Sequence, residues 1–258
     1  MLAERILRFF SRDPKEKDYP GGTVRANLDN ALSFPLKTVP EFNDLVKQCG
    51  SVLDFGCGYG LQAAALAIRH PSVEIAGVDL PRPVLLEKWR ELPRLPNLRL
   101  ITDLPENERF DLVFSCSSFE HFSNPDKILK LMLERAKPGG LLVITFAEPW
   151  LSPRGSHMGG FCRLPWVNVL FPEKAVMRVR SLYRSDGAMR YEDVEGGLNR
   201  MTVAKFERLM KTSGAKVRTL KRHPVKGLPM VSQVPVVREF MTAACSCILE
   251  IPSQTKGR

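Results

Sequence analysis

The chain has 258 residues, 44% hydrophobic and 26% charged, a balance suited to one globular domain with or without an inserted cap, not to a disordered chain. No run of 18 apolar residues occurs, which excludes a membrane-spanning helix. The formal charge of +10 is uneven. Residues 151–230 carry 16 Lys and Arg against 6 Asp and Glu, a net +10, while residues 1–150 sum to −1 and residues 231–258 to +1. A near-neutral body with one basic segment predicts something anionic against that segment: a phosphorylated or carboxylated substrate, an anionic membrane face or nucleic acid. The alternative is a solvated basic face. Six cysteines, at 49, 57, 116, 162, 245 and 247, show no metal-ligand spacing with the histidines. The close pair Cys245 and Cys247 is expected to point to opposite faces of a strand. Neither a zinc site nor a disulfide framework is expected, which places the chain in a reducing cytoplasm.

Residues 1–10 lack the apolar core and cleavage site of a secretory signal. They read as a helix docked on the domain, or as a short basic amphipathic helix at a membrane surface. Residues 11–25 are polar and rich in Pro and Gly, hence a loop. Glu41–Gln48 has apolar residues at helical spacing, at Phe42, Leu45 and Val46. Ser51–Phe55 is an apolar run carrying Asp54. The glycines Gly56, Gly58 and Gly60 follow at alternate positions, and an Ala-rich helix runs from 61 to about 70 before Pro71. Strand, glycine loop and helix start make a nucleotide-type site: glycines let the backbone approach a ligand, and the helix start offers unpaired N–H groups. The spacing differs from the Gly-x-Gly-x-x-Gly of dinucleotide sites. Asp54, two residues before the first glycine, repels a pyrophosphate and attracts an amino group.

Residues 73–79 form a second buried strand ending in Asp79, an acid placed to accept ribose hydroxyls; a helix to about Glu91 follows. Leu98–Ile101 is a third strand, followed by Asp103. Phe110–Ser115 is a fourth, leading into Cys116-Ser117-Ser118-Phe119-Glu120-His121. A helix from Pro125 ends at Lys137-Pro138-Gly139-Gly140, read as a helix stop and turn, and Leu141–Phe146 is the fifth strand. Residues 148–200 are a glycine- and aromatic-rich insertion with His157 as its one histidine. Tyr183, Arg184, Arg190 and Tyr191 are candidates for an anionic-substrate pocket there. Thr202 is read as a helix N-cap. Lys216–Lys221 is a strand, Arg222–Gly227 a basic loop, 236–243 a helix and 245–251 a last strand.

Four ordered elements resemble the class I S-adenosylmethionine-dependent methyltransferases: Asp54-x-Gly56-x-Gly58-x-Gly60; Asp79, 19 residues after Gly60; Phe110-Asp111-x-Val113 with Glu120-His121; and Lys137-Pro138-Gly139-Gly140 before a Leu-rich strand. Pro165-Trp166 and Phe171-x-Glu173 resemble a bacterial, methyltransferase type 11-like subgroup. The resemblance covers residues 48–146 closely and 200–252 loosely. It implies an α/β fold: a doubly wound, seven-stranded Rossmann-like sheet, the last strand antiparallel, with a substrate cap after the fifth strand. The implied division is an N-terminal arm with covering helices over 1–47, to which Tyr19 is a candidate contributor, and a methyltransferase domain over 48–258 with its cap at about 148–200.

The resemblance further implies S-adenosylmethionine held by Asp54, Phe55, Gly56, Cys57, Gly58, Gly60, Asp79, Leu80, Asp103, Ser115, Cys116 and Ser117, with no metal. His157, and secondly His121, are candidate catalytic bases for a hydroxyl acceptor. The expected acceptor is a small molecule or a glycan or lipid precursor, methylated at oxygen. Pro-Pro-Tyr-like and Pro-Cys motifs, which mark base-modifying enzymes, are absent after the fourth strand, and this disfavours nucleic acid. A NAD(P)-dependent oxidoreductase, an RNA methyltransferase and a non-catalytic binding protein of this fold stay open. Peripheral membrane contact is open too, and no obligate protein partner is evident.

Overall fold

The computed structural model describes residues 2–12, 24–158, 161–194, 196–225, 234–235 and 237–253. One sheet contains β1 (Ser51–Phe55), β2 (Glu74–Val78), β3 (Leu98–Ile101), β4 (Phe110–Cys116), β5 (Ala136–Ala147), β6 (Lys216–Pro224) and β7 (Thr242–Glu250). Its order is β3-β2-β1-β4-β5-β7-β6. The first five strands pair in parallel, and β7 runs antiparallel to both β5 and β6. The helices are α1 (Leu2–Phe10), α2 (Val24–Ala31), α3 (Ser33–Thr38), α4 (Phe42–Lys47), α5 (Leu61–Arg69), α6 (Pro83–Glu91), α7 (Pro125–Arg135), α8 (Val167–Leu170), α9 (Glu173–Arg180), α10 (Val203–Lys211) and α11 (Arg238–Met241).

The central strands are buried on both faces, which is why they read as continuous apolar runs and not as alternating ones. On one face, Leu66 and the alanines of α5 pack with Phe42 and Val46 of α4 against Val52, Leu112 and Phe114. The alanines let α5 lie close to the sheet. On the other face, Met132 of α7 and Phe206 and Met210 of α10 cover Leu53, Val113, Ile144 and Phe146. The Asn124 side chain caps α7 by accepting from Lys127 N–H, and Thr202 caps α10 through Lys205 N–H, both at 3.2 Å. The segment ahead of β1 is tied to the far strands: Thr38 Oγ1 lies 2.8 Å from Thr145 Oγ1, and Ser246 Oγ donates to the Thr38 carbonyl. A third core, built from Leu7 of α1, Met158, Phe161, Val176, Val179 and Tyr191, holds the inserted segment together.

Several boundaries differ from the sequence reading. β5 begins at Ala136, so Lys137–Gly140 lies within a strand and does not form a separate turn. Ala136 pairs with Phe110, and a bulge follows before Leu112 pairs with Leu141. Glycine is required there: a Cβ on Gly140 would sit 2.8 Å from the Asp111 carbonyl. β6 continues through Arg222 and His223, which read as a loop. Arg222 pairs with Glu207 and His223 Nε2 lies 2.8 Å from Ser246 Oγ, so these polar residues serve an edge strand. The helix expected over 236–243 shrinks to α11, because Thr242–Ala244 joins the ladder with β5 and β6. Cys245 and Cys247 share one face and one core cluster, as an i, i+2 strand spacing dictates, and all six cysteines are free thiols. Tyr19, most of the loop at 11–25, Lys226 and Gly227 lie outside the described residues. Among the described residues no helix is long and apolar enough to cross a membrane.

Candidate active site

Strand order reverses between β1 and β4, so their carboxyl ends flank the crevice where open α/β sheets take ligands. The glycine loop lies at the end of β1, with Gly56, Gly58 and Gly60 all at positive φ. Gly60 starts α5, and a Cβ there would meet Leu100 Cδ1 at 2.8 Å. Gly58 has open space at the Cβ position. Two groups fix the loop: Gly58 N–H donates to Asp79 Oδ2 at 2.7 Å, and Trp89 Nε1 of α6 donates to the Gly58 carbonyl at 2.8 Å. Ser118 Oγ reaches the Gly56 carbonyl at 2.7 Å, joining the loop to the turn after β4.

Asp54 is fully buried, and neither carboxylate oxygen has a donor in good hydrogen-bond geometry. Burial, and then the Asp79 carboxylate, push its pKa well above the ordinary range, while the Ala63 amide on α5 pulls the other way. Asp79 accepts from the amides of Gly58 and Leu80 and pairs with Arg82 at 3.4 Å. A ribose diol would therefore share this carboxylate with backbone donors. Phe55 packs edge-to-face on Phe122. Cys57 is buried beside Gly77, and Leu80 is exposed. Asp103 is exposed just beyond β3. At the end of β4, Ser115 is buried with its hydroxyl unpartnered, and Cys116 Sγ accepts from Gln62 Nε2 at 3.1 Å. Burial lifts the Cys116 thiol to about 12, so it is not a thiolate nucleophile. Ser117 is exposed in the left-handed region, its N–H donating to the Thr145 carbonyl at 2.8 Å.

The fold brings the two candidate bases together from segments 36 residues apart, with the His121 and His157 rings packed edge-to-face at 5.3 Å. His121 sits in a single 3-10 turn, Phe119–His121, and its Nδ1 donates to the Gly197 carbonyl at 2.6 Å. That contact sets the tautomer, and Gly196 leaves room for it, since a Cβ there would meet His121 Nδ1 at 3.2 Å. His157 sits in a turn at positive φ, with Nε2 buried and unpartnered. Burial, and then the neighbouring His121, lower its pKa to about 4, so the ring is neutral at pH 7. Burial also lowers His121, with Arg82 adding to the effect and the Gly197 carbonyl opposing it.

Two further buried acids, which the sequence reading passed over, interact with each other after the ends of β4 and β5. Glu120 precedes His121 and is buried with Oε2 unpartnered. Burial lifts it to about 8, and Glu148 adds to the shift. Glu148 follows β5 at positive φ, and burial raises its pKa too. Glu120 was visible in the sequence only as part of the Glu-His pair, and Glu148 only as the polar residue ending an apolar strand. Tyr183 stacks on Phe161, and Tyr191 is buried against Trp150, so both tyrosines belong to the cap core. Arg180 pairs with Asp186, Arg190 with Glu192 and Asp193, and Arg200 with Glu173. These pairs engage the segment's own acids and leave its net charge unchanged. Arg184 has a partner as well.

A family model described as a methyltransferase domain matches residues 2–220. The chain belongs to the S-adenosylmethionine-dependent methyltransferase family. This removes the oxidoreductase alternative. An uncharacterized methyltransferase of Mycobacterium leprae is 27% identical over 250 residues, covering 95% of this chain and 88% of the relative. The mitochondrial ubiquinone biosynthesis O-methyltransferase of Candida albicans is 35% identical over 104 residues, covering 37% of this chain and 32% of the relative. The chain matches about a third of the length of the first curated relatives. Among solved structures, an O-methyltransferase family protein of Burkholderia thailandensis shares the fold with a TM-score of 0.54 and 16% identity, covering 90% of this chain and 59% of that one. The methyltransferase sheet explains the position of the glycine loop.

Proposed function

We propose that this methyltransferase alkylates a hydroxyl group of a small molecule or of a glycan or lipid precursor, with His157 taking the acceptor's proton. One observation carries the reading: the unpartnered, buried Nε2 of His157 at the carboxyl edge of β4 and β5, on a ring held neutral. Asp54 and the open side of Gly58 are suited to the cofactor, because a buried carboxylate without a well-aligned donor calls for a cationic or hydroxyl one. When bound, S-adenosylmethionine supplies an electrophilic methyl group on a sulfonium centre. Asp54 with Gly56 and Gly58 would hold its amino acid portion, and Asp79 its ribose. Phe55, Cys57, Gly60, Leu80, Asp103, Ser115, Cys116 and Ser117 would complete the wall.

The residues around the acceptor orient it and exclude water, which is most of the work for a reaction with a ready-made electrophile. His121, fixed by Gly197, sets the position of the His157 ring. His157 Nε2 accepts the hydroxyl proton as the new bond to oxygen forms. Glu120, next to His121 in the chain, is protonated below about pH 8. An anionic group on the acceptor would be read by Arg154, which lies beside Glu148. The ubiquinone-pathway relative, an O-methyltransferase by name, supports oxygen as the acceptor atom.

The test is a methyl-transfer assay over phenolic, enolic and polyol acceptors with matched amines as controls, reading formation of S-adenosylhomocysteine. His157→Gln is expected to lower turnover by roughly 10²-fold or more while calorimetric affinity for S-adenosylhomocysteine is kept. Full turnover in that variant, or transfer only to amines, overturns the hydroxyl reading.

A further inference from the structure

Helix α1 docks on the cap with its weaker face. Leu7 is buried in the cap core, Ala3 packs beside it, and Glu4 pairs with Arg178 of α9 at 2.8 Å. The opposite face carries Leu2, Ile6 and Phe9, spaced i, i+4 and i+7 in one apolar stripe. Phe9 is 82% exposed, Leu2 73% and Ile6 38%. Arg5 and Arg8 are exposed along one flank of the stripe, and Arg12 is exposed just past the helix. A helix that only needed to dock would place its largest apolar side chains inward. This one presents them to solvent, bordered by cations.

We infer that α1 is a peripheral docking element for an anionic lipid bilayer, inserting Leu2, Ile6 and Phe9 among the acyl chains while Arg5 and Arg8 meet the headgroups. The chemistry favours a bilayer over a second protein. One nine-residue helix offers far less than the roughly 800 Å² per partner of a stable protein interface. It matches an interfacial helix, with its apolar face down and arginines at headgroup level. The adjoining cap has the complementary sign, since residues 151–200 carry 8 Lys and Arg against 5 Asp and Glu, a net +3. That segment leaves Leu170, Leu182 and Met189 exposed as well. The helix is joined to the cap by backbone contacts: Arg12 N–H donates to the Phe161 carbonyl and Arg163 N–H to that of Phe10, with a bridge between Ser11 and Cys162. Docking through α1 would therefore bring a bilayer against the cap that carries His157. The inference is independent of the acceptor proposed above.

The test is flotation of the full chain with vesicles of pure phosphatidylcholine and with vesicles about one third phosphatidylglycerol, at low and high salt. Binding to the anionic vesicles, reduced by salt and weak on the neutral ones, is expected. The paired change Leu2→Ser and Phe9→Ser should cut it at least about fivefold, and Arg5→Gln with Arg8→Gln should remove the preference for anionic lipid. Both pairs are solvent-exposed, so melting temperature and S-adenosylhomocysteine affinity should be unchanged. Failure to float, or flotation that both double variants leave unchanged, overturns the inference. So does a concentration-dependent dimer in sedimentation that the Leu2 and Phe9 changes dissolve, because the stripe would then be a self-association face.

Discussion

Glu120→Gln is expected to change how stability depends on pH more than it changes stability itself. In the native protein, burial raises the Glu120 carboxyl from 4.5 to about 8, whereas unfolding returns it to water. Between those values the unfolded chain has lost the proton and the folded chain has kept it. The folded state binds more protons there, so stability is greatest below the unfolded pKa and falls as pH rises toward the folded one. Three and a half pH units at about 1.4 kcal/mol each bound the loss at about 5 kcal/mol. Glutamine keeps the shape and cannot ionise. It carries its own cost of roughly 1–3 kcal/mol for an amide in a site that leaves Oε2 unpartnered, but that cost does not vary with pH. The assay is urea unfolding at half-unit intervals from pH 5 to pH 8.5. The variant should gain on the parent at every step, by up to about 1.4 kcal/mol per unit. His157 acts in the opposite sense below pH 6.5, because its lowered pKa makes acid destabilising, but it is common to both proteins and cancels in the difference. Parallel curves would refute the argument and mean that water or a cation reaches Glu120.

The same burial predicts that the acid limb of the turnover profile falls near pH 4–5, where His157 protonates, and not near the 6.5 of a solvated imidazole; a limb at 6.5 would place the base in water. Asp79→Ala should weaken S-adenosylhomocysteine binding by roughly 1–3 kcal/mol in a calorimetric titration, since the hydroxyls lose their acceptor and Gly58 loses the carboxylate that fixes it; unchanged affinity removes the ribose assignment. Gly155→Ala should lower the melting temperature by several degrees and reduce turnover, because the added Cβ would collide with the Trp150 carbonyl and the turn leading to His157 would have to move. An unshifted melt would show that the turn yields freely.

The sheet was legible because its signals are local. Strands buried on both faces give mostly apolar runs at 51–55, 110–114 and 141–146. Glycines at alternate positions declare a loop that only they can trace. Thr202 and Asn124 announce helix starts by chemistry that acts within one turn. What the sequence hid was set by distant partners. Lys137–Gly140 reads as a turn until Phe110 is seen to pair with Ala136. Arg222 and His223 read as a loop until Glu207 and Ser246 are found facing them. Arg184 and Arg190 looked like an anion pocket, and ion pairs to Glu192 and Asp193 claim Arg190. In the site, the sequence offered both histidines as separate candidates, but nothing in the spacing of 121 and 157 said that the rings would touch.

Their contact also accounts for the chemistry assigned to the pair. Burial raises Glu120 and Glu148 and lowers His121 and His157, moving all four toward their neutral forms. A cluster so tuned has little standing charge with which to hold an ionic acceptor tightly. It can still receive a proton at the moment the acceptor oxygen becomes alkylated, when that proton turns strongly acidic. A base lowered to about 4 is then adequate, because it works against an oxonium-like proton and not against a resting alcohol. A neutral imidazole is also already in the form that accepts a proton when the acceptor arrives. On the proposed reading, the carboxyl edge of β4 and β5 is better matched to transfer onto a weakly acidic hydroxyl than to binding a preformed oxyanion, for which it offers little standing positive charge.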